Sequence, residues 1–292
     1  MESGVPQTSR GAVSLGEDLS AVIARPSWSI GDYTIALGLL KLGAIVNLYF
    51  LAMTLGSGAA DPYIVLPALI LFAVSAYRCL YPVRYEHDVV FHASFFSSIF
   101  VTRLLATFAE VAWIYLFAYV LRLLNLNHVG WVTALSWLMV AQVVISQCFV
   151  WTAILTERLE LYFYEESGWL LIFTANAIAS AYLYLTVGGA LGGKEVLLLL
   201  SMLFGVAYLP FESAHLASLR AEMKRNPTSS ATASMPILMR LVTGLRRSMM
   251  VKNPRTDAAS WGGFVGITWM IGYCATLVPL WLYYIVTVLR PH

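Results

Sequence analysis

Long apolar runs separated by short polar turns set the pattern of the chain. Runs near 31–56, 62–82, 98–124, 129–155, 165–187, 195–216 and 261–289 each reach the roughly 20 residues needed to cross a ~30 Å hydrocarbon core. The pattern predicts an all-α, polytopic integral membrane protein with seven transmembrane helices. Most connections are short and carry turn residues, as in GSGAADP, NLNH and VGGALGGK. Only the connection 217–260 is long.

Residues 1–30 precede the first span. They lack the short apolar core of a secretory signal and the Arg-rich character of a transit peptide, so they are expected to stay on the mature protein. Ser14 and Glu17 fit a capping box for a short surface helix that Pro26 stops. The expected organisation is a cytoplasmic segment, 1–30, and a membrane domain, 31–292.

Composition agrees with this pattern. Hydrophobic residues make up 59% and charged residues 12% of the chain, against roughly 45–50% and 25% in soluble domains. A net charge of +2 gives no support to nucleic-acid binding. The three cysteines, Cys79, Cys148 and Cys274, lie in apolar runs, which argues against a disulfide framework or a Cys-based metal cluster.

The basic residues are unevenly placed. Arg220, Lys224, Arg225, Arg240, Arg246, Arg247, Lys252 and Arg255 crowd the long connection, and Arg84 and Arg158 fall on the same side. Only Arg122, Lys194 and Arg290 fall on the other. The positive-inside rule predicts a cytoplasmic N-terminus and a C-terminus on the opposite side. That is the reverse of rhodopsin-type receptors, and the last span has no lysine to hold retinal. Within the long connection, near 236–250, Leu238, Leu241, Val242, Leu245 and Met249 recur at helical spacing, with Arg240 and Arg247 off the stripe. This predicts an amphipathic helix in the headgroup plane, although a helix docking a protein partner would carry the same pattern.

Ionisable residues at membrane depth are the informative ones, because each costs at least about 2.5–3.5 kcal/mol to insert. In the third span Arg103, Thr107 and Glu110 share a face that Trp113 or Ile114 continues. Glu110 lies about 18 Å along that helix, near the midplane. The gap of about 10.5 Å between Arg103 and Glu110 favours contact through Thr107 or water. The sixth span carries Ser201, Gly205, Tyr208, Glu212 and His215 on one stripe, with Pro210 expected to kink the helix and turn a free carbonyl inward. Gln142 and Ser146, Trp169 and Asn176, Lys41 and Asn47, and Ser75 and Arg78 add polarity or aromatic surface from the other spans. Lys41 is placed at a depth comparable to Glu110, and Glu157, Glu160, Glu165 and Glu166 read as a solvated connection. Together these groups describe a polar funnel open to the cytoplasmic side.

No GxSxG, Walker loop, HExxH or HxxxH occurs, and the five histidines are scattered. The expectation is therefore no metal and no cofactor. YEHDVVFH reads as a solvated loop. Seven helices with buried carboxylates resemble, in architecture alone, integral-membrane isoprenoid cyclases and sterol isomerases. Three readings follow. In the first, the chain is a membrane enzyme acting by acid–base chemistry on a lipid or isoprenoid. Glu110, Glu212 and His215 are then catalytic, and Arg103, Tyr208, Trp113, Trp169 and Asn176 bind the substrate. The second is a proton-coupled carrier in which Glu110 titrates and Arg103 and Lys41 hold the counter-charge. The third is a non-catalytic subunit of a membrane complex, where the Arg103/Glu110 pair is a packing tie.

Overall fold

The computed structural model describes residues 31–56, 61–85, 88–225 and 235–289. The expected helix at Ser14 to Pro26 lies outside them. Seven helices are long and apolar enough to cross a membrane among the described residues, as in a multi-pass membrane protein. They are α1 (Thr34–Gly56), α2 (Pro62–Leu80), α3 (Ile99–Leu124), α4 (Gly130–Thr156), α5 (Leu159–Val187), α6 (Glu195–Arg225) and an interrupted last span. That span consists of an α-helical part (Gly263–Met270), a π turn (Ile271–Ala275) and a further helix (Leu277–Val288).

Local chemistry fixes several of the ends. Asp61 caps α2 by accepting the Tyr63 N–H at 2.9 Å, and Pro62 occupies the first turn, where its missing donor is harmless. Ser98 caps α3 through the Val101 N–H. The turn between α4 and α5 is shorter than the acidic run suggests, because Glu157 adopts a left-handed conformation with φ 56° and α5 begins at Leu159. Glu165 and Glu166 are thus inside a spanning helix and not in a solvated connection.

Each helix packs chiefly on its chain neighbours, and the last span returns to α1 and α2. Without a strong hydrophobic drive between helices in lipid, close van der Waals packing holds such a bundle together. Gly43 shows the tolerance. A Cβ there would lie 2.4 Å from the Ala275 Cβ and 2.9 Å from the Cys79 sulfur. Pro279 explains the interruption beside it, since its ring has no N–H and crowds the carbonyl four residues earlier, that of Ala275. The distorted turn leaves the Cys274 carbonyl to accept from Asn47 Nδ2 at 2.8 Å and from the Cys79 thiol at 3.4 Å.

One face gathers the basic connections. Tyr33 N–H donates to the Thr256 carbonyl at 2.8 Å, and Arg255 N–H to that of Val90 at 3.0 Å. A small antiparallel hairpin, β1 (Val83–Arg84) and β2 (Val89–Val90), lies here, where the all-α expectation placed a solvated loop. Val89 and Val90 are buried, and burial pushes the Tyr85 phenol up from its ordinary pKa. A helix, α7 (Ile237–Met249), packs on α4 at this face. Gly244 and Ser248 are its buried residues, and a Cβ on Gly244 would lie 2.0 Å from the Leu155 carbonyl oxygen. Arg247 donates to the Ile154 carbonyl at 2.7 Å and pairs with Glu157. Ile237, Leu238, Met239 and Val242 stay exposed.

Candidate functional site: buried carboxylates and an aromatic wall

The Arg103 and Glu110 side chains reach along one face of α3 and meet directly. Nη1 donates to Oε1 at 3.1 Å and Nη2 to Oε2 at 2.6 Å. Two helical turns put the side chains in line, and the long guanidinium stem spans the gap that the sequence assigned to water or Thr107. Thr107 instead donates to the Arg103 carbonyl and accepts from Trp151 Nε1 at 2.9 Å. From α4, Gln147 Nε2 donates to Glu110 Oε2 at 3.0 Å, and the Gln147 carbonyl oxygen accepts from Arg103. Both Glu110 oxygens are therefore engaged by donors. This is the geometry of a bidentate guanidinium–carboxylate tie braced by an amide.

Lys41 is not part of this interior. It is exposed on α1, with its ammonium 5.8 Å from the Phe91 ring centroid. Such a side chain snorkels toward a polar edge. Pro210 likewise lies on the exposed side of α6, and the helix runs on unbroken to Arg225. The carbonyl left free by Pro210 belongs to Val206, which is itself exposed, so no free carbonyl is delivered to the interior.

A second cluster joins α5 and α6. Glu212 is buried, and its Oε1 has no hydrogen-bond partner among the described residues. The Tyr208 hydroxyl, the Glu166 carboxyl and the His215 imidazole lie within electrostatic reach of it. His215 Nε2 stands 3.7 Å from Glu166 Oε1, and these two side chains are 29% and 21% exposed. Accessibility thus falls from His215 and Glu166 to Glu212. Glu165 lies between the clusters, within electrostatic reach of Arg103, Glu110 and Glu212, and accepts the Trp169 indole N–H at 2.9 Å.

Aromatic side chains wall off the interior beyond these groups. Trp113 contacts Trp169, Phe173 and Tyr273 at centroid distances of 5.9, 5.4 and 5.3 Å. Tyr208 packs on Phe173 at 4.5 Å and on Phe204 at 5.5 Å. Asn176 is also buried on α5, and its amide has no hydrogen-bond partner among the described residues. The structure therefore unites Arg103 with Glu110, and Trp113 with Trp169. It places Tyr208 and Glu212 together and joins His215 to them through Glu166.

Gln147, Glu165, Glu166 and Tyr273 were missed as site residues in the sequence. The two glutamates looked like helix-end charges, and Gln147 directly follows Ser146, which was read as the inward position. Among the described residues no group of three or more His, Cys, Asp or Glu side chains is arranged to hold a metal ion. Cavities open at both ends of the bundle. One of about 200 Å³ lies beside Tyr85, Tyr162 and Arg247, and one of about 660 Å³ beside Asp61, Tyr119 and Lys194. Comparison with protein families, with curated proteins and with solved structures finds no match.

Proposed function

We propose that the chain is an integral-membrane enzyme that uses buried carboxylates for acid–base chemistry on a lipid or isoprenoid substrate. One observation carries the reading: the buried Glu212 carboxyl, with one oxygen unpartnered, adjoins Glu166, His215 and the hydroxyl of Tyr208. Such a group can give or take a proton at the substrate while the half-buried Glu166 and His215 exchange it with water. Glu212 is then the catalytic acid, and Tyr208, Trp113 and Trp169 shape an apolar wall suited to stabilising developing positive charge. Glu110, bound on both oxygens, serves as the tie that fixes α3 against α4.

The basic face is the cytoplasmic one in this reading, with the N-terminus inside and the C-terminus outside, as the distribution of Lys and Arg supports. The exposed apolar side chains of α7 then lie in the headgroup region, where anionic lipid attracts Arg240 and Arg246. The same fall in accessibility toward Glu212 favours a second reading, a proton-coupled carrier.

Substituting the two acids separates these roles. Glu212→Gln keeps the shape and removes the titrating proton, so product formation, followed by lipid analysis of cells with and without the protein, should fall by about 10²–10⁴-fold with the fold intact. Glu110→Gln should lower the melting temperature and reduce activity only in step with folding. Full activity in folded Glu212→Gln would remove Glu212 from the chemistry. Proton flux in liposomes that Glu212→Gln abolishes, with no lipid product, would favour the carrier.

A further inference from the structure

Arg78 stands two residues before the end of α2 and is half-buried. Its guanidinium carbon lies 4.8 Å from the Tyr273 ring centroid and 5.8 Å from that of Tyr85. Among the described residues its N–H groups make no hydrogen bond and no ion pair. Aromatic rings engage the faces of a guanidinium, whereas its donors point outward in its plane. The two tyrosines therefore stabilise the charge and leave the fork of N–H groups unused.

Among the described residues no carboxylate bonds that fork. Glu110, the acid that acts on Arg78, is already bound twice by Arg103 and once by Gln147. Arg78 and Arg103 face the same Tyr85 ring, at 5.8 and 5.5 Å from its centroid, and of the two only Arg103 bonds a carboxylate among the described residues. The hydroxyls of Tyr85 and Tyr273 and Nε of Arg103 are buried without a hydrogen-bond partner, and Tyr273 as a whole is only 5% exposed. Unpartnered buried donors are costly and uncommon, and a cluster of them around a surplus cation calls for an acceptor.

Placement near a helix C-terminus explains why a cation is tolerated here, but not why the tyrosine hydroxyls go unbonded. Tyr273 also lies in the π turn of the last span, a distortion frequent at functional sites. The Trp113 ring of the aromatic wall packs edge-on against Tyr273 at 5.3 Å, so the donors adjoin apolar surface. We infer that Arg78, with the hydroxyls of Tyr85 and Tyr273, binds the anionic headgroup, a carboxylate or phosphate, of a membrane amphiphile. The planar fork accepts two oxygens of either group. The inference concerns binding and holds whether or not Glu212 performs chemistry.

The test uses the full chain purified in uncharged detergent, followed by tryptophan fluorescence and thermal shift. Oleate, oleoyl lysophosphatidate, oleyl alcohol and inorganic phosphate are titrated in separate arms. At least one of the two anionic amphiphiles should bind at least about 10-fold more tightly than the alcohol. Arg78→Met should weaken that binding by about 10–100-fold, and Arg78→Lys, which keeps the charge but loses the fork, should restore part of it. Glu212→Gln should bind as the unaltered chain does, which separates this site from the proposed catalysis. If Arg78→Met does not fold, Tyr273→Phe removes one oxygen and should still cost about 3–10-fold. Oleyl alcohol binding as tightly as the anions, or unchanged affinity in folded Arg78→Met or in Tyr273→Phe, overturns the site. Inorganic phosphate binding as tightly as the amphiphiles overturns the headgroup assignment in favour of a free anion.

Discussion

Arg103, Glu110 and Gln147 form a set in which each side chain bonds the other two, with Nε of Arg103 left over. Removing one member of a buried ion pair leaves an uncompensated charge and costs about 3–5 kcal/mol, whereas removing both members together costs much less. Arg103→Met and Glu110→Gln should therefore each lower thermal stability, and the double variant should lose less than their sum by about 1–3 kcal/mol. A thermal-denaturation cycle in detergent measures the coupling, and additive effects would show that the contact contributes nothing to folding. Glu212 belongs to a different regime. One of its oxygens lacks a partner, so a neutral amide there removes a titrating group without breaking a tie.

At the scale of elements, bare backbone decides where helices meet. Gly43→Val should push α1 away from the π turn, break the Asn47 bond to Cys274 and cost about 1–3 kcal/mol, read as a lower melting temperature. Gly244→Leu should lift α7 from α4 and expose the chain near Arg246 and Lys252 to trypsin, with the spanning helices unaffected. Unchanged digestion would mean that α7 is held by Arg247 alone. The existence of the spans was legible in the sequence, because a run of twenty apolar residues has few other uses. The stripe Ser201, Tyr208, Glu212 was legible too, since helical periodicity identifies a shared face. Much of the rest was not. The hairpin at Val83–Val90 depends on packing against the distant segment near Arg255. Helix α5 starts early because Glu157 takes a conformation that composition does not encode. The sequence places Lys41 at the depth of a buried counter-charge, yet it is exposed, because position along a helix does not set rotation about its axis.

For the whole molecule, the proposed orientation makes the face bearing α7 cytoplasmic. In intact cells a membrane-impermeant thiol reagent should label a cysteine introduced at Gly189 and not one at Thr243, both exposed positions at opposite ends of the bundle. The reverse pattern would invert the orientation and place the half-buried Glu166 and His215 toward the outside. A further consequence concerns biosynthesis. The Arg103–Glu110 pair is contained within one helix, so it forms as soon as α3 coils, before α4 supplies Gln147. The segment leaving the translocon then presents a neutral dipole in place of two separate charges, each of which would cost at least about 2.5–3.5 kcal/mol to insert. Its partition into the bilayer can precede synthesis of the remaining spans. Moving either charge to a neighbouring helix would keep the finished pair but delay its neutralisation until after the riskier step.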